Sequence, residues 1–545
     1  MRFALPPAAT SWCLATLACM TLAVAGCSRH ATAVDEGNRT QTLHFGNVGE
    51  PSELDPHIIN AAPDYQIITA LFEGLLNADP ATMAPRPGVA ETWDVSPDGL
   101  TYTFHLRTNA KWSNGDPITA DDFLYSFRRA LSPALASQYT FLFHAVRGAD
   151  EFSSGKLADF SQVGFSAPDP RTLVVRLARV TPYFLGIVSA NAIWYPVHRA
   201  TIERLGRIDQ RGTGWTRPEN FVGNGPFVLK EWRPNQVIVA EKSPTYWDAA
   251  HVSLHAVYFH AIDSPDTQEV AFRSGQLHVT TGVPAAKATA YLKDHSALLL
   301  RTPILSTTFI TVNVAHPPLN DQRIRLALAL AFDRAQIASR INPARMAPAY
   351  SIVPEGMPGY QPYVRMKEDP AAARALFAEA GFPAGKGFPT LELSCETGAS
   401  LELVQAIQEA WRTNLGIHVS IARRESRTHW ETLHLKQYDL AISAWSADYP
   451  DPSSFLELWR GNGGWNFTNW ADPHYDELLD TAASETDPAM RLKRLQVVES
   501  RLTNEMPVIP VSYDRDVRLV QPSVHNWATN PLQRPDYKAV WLGAP

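Results

Sequence analysis

The spacing of apolar and polar residues predicts that strands and helices alternate along most of the chain. Apolar residues alternate with polar ones over 100–106, as in a half-buried strand, and recur at helical spacing over 67–76. Asp369 and Asp487 each precede a proline, an arrangement typical of the first turn of a helix. These signals predict strands at 42–46, 100–106, 171–177, 227–230, 236–241, 308–314, 390–394, 417–421, 438–443 and 508–513. They predict helices at 67–76, 119–127, 321–338, 370–381, 400–414 and 427–436, and from 487 onward.

The predicted strand 438–443 leads into a segment that combines an aromatic residue, an acid and prolines. We expect the strand to leave the sheet at Trp445, and Asp448 to lie just past its end. A free strand edge can pair with the main chain of an extended ligand, and a carboxylate beside it can bind an ammonium group. A tryptophan in the core and an aspartate that caps a loop would give the same pattern.

Length and composition indicate a globular protein of two or three domains. The chain has 545 residues, of which 45% are hydrophobic and 19% charged, so it can bury a sizeable core. Its formal net charge of −7 provides no basic surface. We therefore expect no nucleic-acid partner.

The sequence contains none of three common enzyme motifs. It has no Gly-x-x-x-x-Gly-Lys-Ser/Thr loop for ATP, no Gly-x-Ser-x-Gly nucleophile turn and no His-Glu-x-x-His zinc helix. We therefore expect no catalytic residue and no cofactor. His251 and His255 are four residues apart, but the apolar residues around them predict the start of a strand rather than a helix face that could hold a metal.

The N-terminal residues resemble a bacterial lipoprotein signal. An Ala- and Leu-rich stretch over 8–25 is followed by small residues directly before Cys27. We expect residues 1–27 to be a signal peptide with its lipid-attachment motif, Cys27 to be lipidated and 28–40 to form a polar tether. An ordinary signal peptide or a membrane helix are the alternatives. No later stretch has 18 or more consecutive apolar residues, and Cys395 is the only cysteine after Cys27, so a mature intrachain disulfide is impossible.

Short motifs stand out in order along most of the chain. They are Glu-Leu-Asp-Pro-His at 53–57, Leu-Phe-Glu-Gly-Leu-Leu at 71–76, Tyr-Thr-Phe-His-Leu-Arg at 102–107, Lys-Trp-Ser-Asn-Gly at 111–115, Gly-Asn-Gly-Pro-Phe at 223–227, Tyr-Trp at 246–247, Arg-Ile-Arg-Leu-Ala-Leu at 323–328 and Ala-Asp-Tyr at 447–449. In this order they resemble the extracellular solute-binding proteins, family 5, of bacterial ABC importers, and among them the periplasmic oligopeptide-binding proteins.

The resemblance implies an α/β fold with two lobes and three domains, a hinged periplasmic-binding-protein-like architecture with mixed sheets. It divides the chain into a discontinuous lobe I (36–70, 181–305 and 508–545), an inserted domain II (71–180) and a lobe II (306–507). It also implies that the ligand lies between the lobes, which close by a hinge motion that binding favours.

The implied function is that of the substrate-binding component of a peptide ABC transporter. Such a protein captures short peptides and delivers them to a membrane permease with a separate ATPase, and it is not an enzyme. The implied location is periplasmic or extracytoplasmic, with a monomer anchored to a bacterial membrane by its lipid. Two alternatives stay open. One is a binding protein for another ligand, such as nickel or a metal chelate, on the same fold, and the other is an extracellular peptidase.

The resemblance also assigns ligand contacts. Asp448 matches the acid that binds the ligand's ammonium group, and Tyr139 matches a pocket tyrosine. The two walls of the implied site are a lobe II edge of Ala444, Trp445 and Ser446 and an opposing backbone edge of Asn60, Ala61 and Ala62.

The chain departs from the family pattern where the far end of the ligand would lie. Some relatives place arginines there for a C-terminal carboxylate, whereas this chain has Ile442 and Leu433. We therefore expect looser recognition, through water, a lysine or a more distant arginine such as Arg423 or Arg424. The positions where some relatives have cysteines are Ser306 and Ser446, so that cross-link is absent. Neither the exact ligand nor its length follows from these residues.

Overall fold

The computed structural model describes residues 31–544 except 60, 365, 366 and 462. Up to residue 180 its α-helices are Ala33–Thr40 (α1), Ala62–Leu71 (α2), Ala120–Ala130 (α3) and Ala149–Ser153 (α4). The strands of this part are Thr42–Asn47 (β1), Leu76–Ala78 (β2), Pro85–Pro87 (β3), Ala90–Val95 (β4), Thr101–Leu106 (β5), Phe165–Asp169 (β6) and Thr172–Arg176 (β7).

The rest of the chain continues the alternation. Its helices are Phe184–Ala190 (α5), Arg199–Leu205 (α6), Pro265–Arg273 (α7), Ala285–Lys293 (α8), Gln322–Leu330 (α9), Arg334–Ile341 (α10), Pro370–Glu379 (α11), Leu401–Leu415 (α12), Ser426–His434 (α13), Ser453–Leu456 (α14), Pro473–Ser484 (α15) and Pro488–Glu505 (α16). Its strands are Phe227–Arg233 (β8), Val237–Lys242 (β9), Ala256–Ala261 (β10), Leu299–Val312 (β11), Met346–Pro348 (β12), Leu391–Glu396 (β13), Val419–Arg424 (β14), Leu440–Ser446 (β15), Val508–Leu519 (β16), Val524–His525 (β17) and Trp541–Leu542 (β18). Within the described ranges, none of the helices has the length and apolar character needed to cross a membrane.

Three larger sheets organise these elements. In the predicted lobe I the strand order is β1-β10-β9-β8, with β1 parallel to β10. In the predicted domain II the order is β4-β5-β7-β6, and every neighbouring pair is antiparallel. The third sheet has the order β12-β16-β11-β15-β13-β14 and mixes antiparallel with parallel pairs. The expected α/β class with mixed sheets is confirmed, whereas the domain boundaries stay predictions.

Two long strands, β11 and β16, run antiparallel between the lobes. Their pairing extends from Leu299 opposite Leu519 to Thr311 opposite Val508. The register shifts between residues 303 and 307, close to the predicted boundary between the lobes. Because each strand continues through this irregularity, a double hydrogen-bonded ribbon connects lobe I to lobe II.

Strand β15 stays in the sheet longer on one side than on the other. On the β11 side Trp445 pairs with Thr307 and Ser446 pairs with Ser306, so the expectation that the strand leaves the sheet at Trp445 is wrong for this side. On the β13 side the pairing ends at Ala441. The free edge therefore lies on the β13 side only, because β13 is displaced along the sheet relative to β15.

The predicted helix 321–338 is two helices, α9 and α10. The Asp333 carboxylate accepts a hydrogen bond from the Gln336 N–H at 2.8 Å and so caps a new helix. The buried Arg334 side chain turns back to the Ala329 carbonyl at 3.0 Å. Both helices pack on the same apolar cluster. The helical spacing of apolar residues therefore continues across the break, and the sequence pattern did not reveal it.

Helix α2 ends at Leu71, earlier than predicted, because three motif segments meet there. The Asn224 side chain accepts a hydrogen bond from the Glu73 N–H at 3.1 Å and donates to its carbonyl at 2.8 Å. The Tyr246 hydroxyl and the Trp247 indole N–H both donate to the buried Glu73 carboxylate at 2.6 Å. The Leu-Phe-Glu-Gly, Gly-Asn-Gly and Tyr-Trp motifs thus hold domain II to lobe I.

The Leu-Asp-Pro-His motif makes a second such junction. The Asp55 carboxylate is 2% exposed and accepts hydrogen bonds from both terminal nitrogens of Arg129 on α3, at 2.9 and 2.5 Å. The Trp215 indole N–H lies 3.3 Å from the same carboxylate, and the His57 ring donates to the Tyr195 carbonyl at 3.0 Å. Loss of either Asp55 or Arg129 would leave the other charge buried and uncompensated, which is strongly destabilising. The motif therefore has a structural role at this junction.

Candidate functional site

The outer edge of β15 is open beyond its last pair with β13. The Ala447 N–H donates to the Leu305 carbonyl at 2.8 Å, which makes Ser306 and Ser446 a non-hydrogen-bonded pair of the antiparallel ladder. By the alternation of such a ladder, the N–H and C=O groups of Ala444 and Ser446 point away from β11. Both residues are exposed. An extended ligand can therefore add to this edge as a further strand.

Asp448 follows β15 with its main chain held and its carboxylate unbonded. Its N–H donates to the Ser454 hydroxyl at 3.0 Å, and its carbonyl accepts from the Asn191 amide at 2.9 Å. Among the described residues none donates a hydrogen bond to the carboxylate or forms an ion pair with it. Burial raises the pKa of the Asp448 carboxyl to about 7, and the charge of Arg534 opposes part of this rise. A desolvated acid without a partner is suited to bind an ammonium group.

Lobe I and domain II place two tyrosines and an arginine near Asp448. The hydroxyl groups of Tyr139 and Tyr65 lie within electrostatic range of each other. Burial raises the pKa of both hydroxyls, and the charge of Asp448 adds to the rise. The guanidinium of Arg534 lies 3.6 Å from the centroid of the Tyr65 ring. Tyr139 thus lies within electrostatic range of Asp448, and its contact with a ligand stays a prediction. Tyr65 and Arg534 were missed because no motif marks either one.

The opposing backbone edge expected before α2 is instead the start of that helix. Asn60 lies outside the described residues. The Ala61 carbonyl already accepts from the N–H groups of Asp64 and Tyr65, at 3.1 and 3.3 Å, and its own N–H lies 3.4 Å from the Asp64 carboxylate. Ala62 begins α2 and is exposed. The backbone of Ala61 is therefore not free to pair with a ligand strand, and a ligand contact of Ala62 stays a prediction.

A cavity of about 410 Å³ borders Asp448 on the domain II side. Trp445 forms part of its wall and meets Trp465 edge to face, with ring centroids 5.3 Å apart. The Trp445 indole N–H is buried and has no partner among the residues that the structure describes. Phe141 of the predicted domain II and Tyr183 of the predicted lobe I line the opposite wall. This cavity, which aromatic and polar residues line together, has room for a side chain, and a ligand contact of Trp445 stays a prediction.

A second cavity, of about 650 Å³, follows the other half of the open edge and is lined by Ile442 and Ala444. Arg345 also lines it, with a side chain that is 59% exposed and an Nε atom 3.9 Å from the Asp514 carboxylate. The Ser306 hydroxyl donates to the same carboxylate at 3.2 Å. A cation is thus available at the far end of the edge, but it is largely solvated.

The two arginines expected to serve the far end are engaged elsewhere. Arg423 donates to the Thr397 carbonyl at 2.5 Å, and Arg424 pairs with Glu392 at 2.7 Å. Leu433 is fully buried. The expectation that Arg423 or Arg424 takes the place of the missing arginines is therefore wrong, because both side chains are bonded to the neighbouring strand and loop.

Contacts beside Asp448 join the predicted lobe II to α5 and to Tyr183, the residue before it. Tyr449 stacks on Tyr183 with ring centroids 4.9 Å apart and planes 7° from parallel. Ala190 belongs to the same apolar cluster as Ala447. The two sides of the cleft therefore touch at the Asp448 end.

The described part of the chain contains no group of three or more His, Cys, Asp or Glu side chains placed to hold a metal ion. His251 lies in a short 3-10 turn, where its ring contacts the Asp248 carboxylate. His255 directly precedes β10. The two histidines do not share a helix face.

Known proteins resemble the chain over most of its length. The model of "Bacterial extracellular solute-binding proteins, family 5 Middle" matches residues 84–467. The periplasmic oligopeptide-binding protein OppA of Escherichia coli (strain K12) is 35% identical over 494 residues, which cover 89% of each chain.

Solved structures agree with this likeness. The Escherichia coli murein tripeptide binding protein MppA matches with a TM-score of 0.78 and 29% identity, over 92% of this chain and 99% of that one. Haemophilus influenzae OppA in complex with the peptide RPPGFSPFR matches with a TM-score of 0.76 and 28% identity, over 93% of this chain and 99% of that one. Both are two-lobed proteins of the expected architecture.

We expect Asp448→Asn to stabilise the ligand-free protein above neutral pH. The carboxyl ionises near pH 3.8 when unperturbed and near 7 in the fold. Because the pKa is higher in the folded than in the unfolded state, the free energy of unfolding falls as the pH rises from about 4 to 7. Above pH 7 the whole of this loss is present, and below pH 4 there is none. The unfolding midpoint of the variant should therefore rise by ~2 °C or more at about pH 8 and not at about pH 4. Calorimetry on protein freed of ligand by unfolding and refolding measures both.

The matched control is Asp480→Asn, which removes a 71% exposed carboxylate from α15. It should leave the midpoint nearly unchanged at both pH values. Equal gains for Asp448→Asn at both pH values, or a loss at about pH 8, would contradict a desolvated and unpartnered carboxylate at this position.

Proposed function

The chain belongs to family 5 of the bacterial extracellular solute-binding proteins, and we propose that it captures short peptides between lobes I and II. It then delivers them to an ABC permease that is driven by a separate ATPase. The family binds solutes for transport, so we propose that this chain binds its peptides without cleaving them. The names of similar proteins, which refer to oligopeptides and a murein tripeptide, support peptides as the class of ligand.

The proposal rests above all on Asp448. Its carboxylate is unpartnered among the described residues and lies just beyond the open edge of Ala444 and Ser446. A peptide whose ammonium group binds this acid can pair its main chain with that edge. Main-chain pairing does not depend on side chains, so it suits a protein that takes peptides of mixed sequence.

Ligand contacts on both sides of the cleft would couple binding to closure. Asp448 and the β15 edge belong to lobe II, whereas Tyr65 belongs to lobe I and Tyr139 to domain II. A ligand held by both sides binds the closed arrangement better than the open one and therefore shifts the population toward it. We propose that β11 and β16, which connect the lobes, form the hinge.

Acetylating the N-terminus of a tripeptide should weaken its binding strongly. Acetylation removes the positive charge and leaves Asp448 buried opposite a neutral amide. Truncating one member of a buried, hydrogen-bonded charge pair costs roughly 2–5 kcal/mol, which is about 30-fold or more in affinity. Titration calorimetry with the free and acetylated forms of Ala-Ala-Ala measures the difference.

The Asp448→Asn variant tests whether that loss comes from this residue. It should bind the free tripeptide weakly and should no longer distinguish it from the acetylated form, while Asp480→Asn behaves as wild type. If wild-type protein binds both forms equally, Asp448 does not hold the ammonium group. If no peptide binds under any condition, the proposed class of ligand is wrong.

Amidating the C-terminus should change affinity less than acetylating the N-terminus. Ile442 and Leu433 cannot supply the planar, bidentate fork of an arginine, and Arg345 is 59% exposed. A solvated ion pair contributes roughly 0–1 kcal/mol, so amidation should cost less than about tenfold. The same calorimetric series with Ala-Ala-Ala amide gives the answer. A loss as large as that on acetylation would mean that another cation meets the carboxylate.

We propose that the protein lies outside the cytoplasm, as a monomer anchored by lipid at Cys27. The support is the sequence that precedes Cys27, which lies outside the described residues. One acyl chain alone gives marginal membrane binding, so durable anchoring needs more than one. Cys27→Ala should abolish incorporation of labelled fatty acid in growing cells. Incorporation that persists in the variant would exclude Cys27 as the attachment site.

A further inference from the structure

A tight turn holds Arg534 in a fixed position. The N–H groups of Leu532 and Arg534 both donate to the Asn530 side-chain oxygen at 3.0 Å. The Arg534 carbonyl accepts from the Asn530 N–H at 3.3 Å. The guanidinium then stacks on the Tyr65 ring, 3.6 Å from its centroid. The side chain is therefore positioned before any ligand arrives.

Arg534 lines a cavity of about 620 Å³. Among the described residues of this cavity, Arg534 is the arginine or lysine that forms no ion pair with a carboxylate. The other cations of this cavity pair with carboxylates: Arg86 with Asp536 at 3.3 Å, Arg107 with Glu91 at 3.7 Å, and Lys538 with Asp248. The Nε atom of Arg534 is buried and has no hydrogen-bond partner among them. A buried donor of a charged group without an acceptor is costly and calls for a ligand that supplies one.

The backbone of β11 links the segment that carries this arginine to the segment that carries Asp448. The Leu305 N–H donates to the Pro531 carbonyl at 2.9 Å, and the Leu305 carbonyl accepts from the Ala447 N–H at 2.8 Å. Asp448 follows Ala447 directly, and Arg534 lies three residues beyond Pro531. The two side chains nevertheless form no ion pair with each other. The charge of Arg534 still offsets part of the rise that burial causes in the pKa of the Asp448 carboxyl, so the two groups lie within electrostatic range of each other.

An ammonium group bound to Asp448 would face the positive charge of Arg534 in a poorly solvated site, where like charges repel strongly. A ligand whose first residue has a carboxylate in its side chain places a negative charge near Arg534 and so offsets this repulsion. Such a carboxylate also matches the planar donor fork of a guanidinium. We propose that Arg534 binds the side-chain carboxylate of the ligand's first residue, so that peptides beginning with an acidic residue are preferred. This inference rests on the proposed peptide-binding function.

The test compares Glu-Ala-Ala with Gln-Ala-Ala, which have nearly the same shape and differ in one charge. Wild-type protein at about pH 7.5 should bind Glu-Ala-Ala about tenfold or more tightly in titration calorimetry. Arg534→Met keeps an unbranched side chain that can still contact Tyr65 but removes the guanidinium and its charge. It should abolish the preference and bind Gln-Ala-Ala as well as wild type or better, because the repulsion is gone. Arg534→Lys should keep part of the preference.

The matched control is Arg217→Met, which removes an exposed arginine that stacks on Trp232 at 4.3 Å and does not line the cavity. It should retain the preference of wild type. If wild type binds both peptides equally, or if Arg534→Met weakens both by the same factor, the inference is overturned while the peptide-binding proposal stands. If neither peptide binds any form of the protein, both proposals fall together.

Discussion

Two hydrogen bonds made by the backbone of Leu305 hold the candidate site together. One fixes the C-terminal turn that carries Arg534, and the other fixes the start of the loop that carries Asp448. Leu305 can do this because it lies in β11, whose long pairing with β16 keeps the strand extended across the junction between the lobes. Groups from segments almost ninety residues apart in the chain are therefore positioned by one residue of the ribbon. The geometry of the site therefore depends on the ribbon of β11 and β16.

The buried acids of the chain serve two different purposes. Asp55 and Glu73 are surrounded by donors and hold domain II to lobe I, as buried polar groups normally do. Asp448 is half-buried, its pKa is raised by desolvation, and it receives no donor from the described residues. A fold that leaves such a group unpaired is less stable than it could be. Local instability of this kind concentrates at functional sites, where a ligand removes it.

Local features were predicted well from the sequence, and long-range ones were not. The strands at 100–106 and 438–443 and the helix from Asp369 follow from periodicity and capping, which act over a few residues. The break at Asp333 escaped prediction because both helices share one core. The early end of α2 depends on Asn224, about 150 residues away, which no local signal reveals.

The site shows the same division. Asp448 could be found because it lies in a motif at a strand end. Tyr65 and Arg534 could not, since their relevance comes only from the folding of α2 and the C-terminal turn against β11. The stack of Tyr449 on Tyr183 and the hydrogen bond from Asn191 to the Asp448 carbonyl also join the two sides of the cleft, but neither involves a ligand-binding group. Each contact stabilises the arrangement of the two sides seen in this structure, whether or not a peptide is present. The fraction of empty protein in this arrangement is thereby raised, and a peptide has less of the conformational equilibrium to shift if it binds the same arrangement. A permease that recognises this arrangement alone would then also be engaged by empty carriers, so discrimination between loaded and empty protein has to come from a feature that only the bound peptide completes.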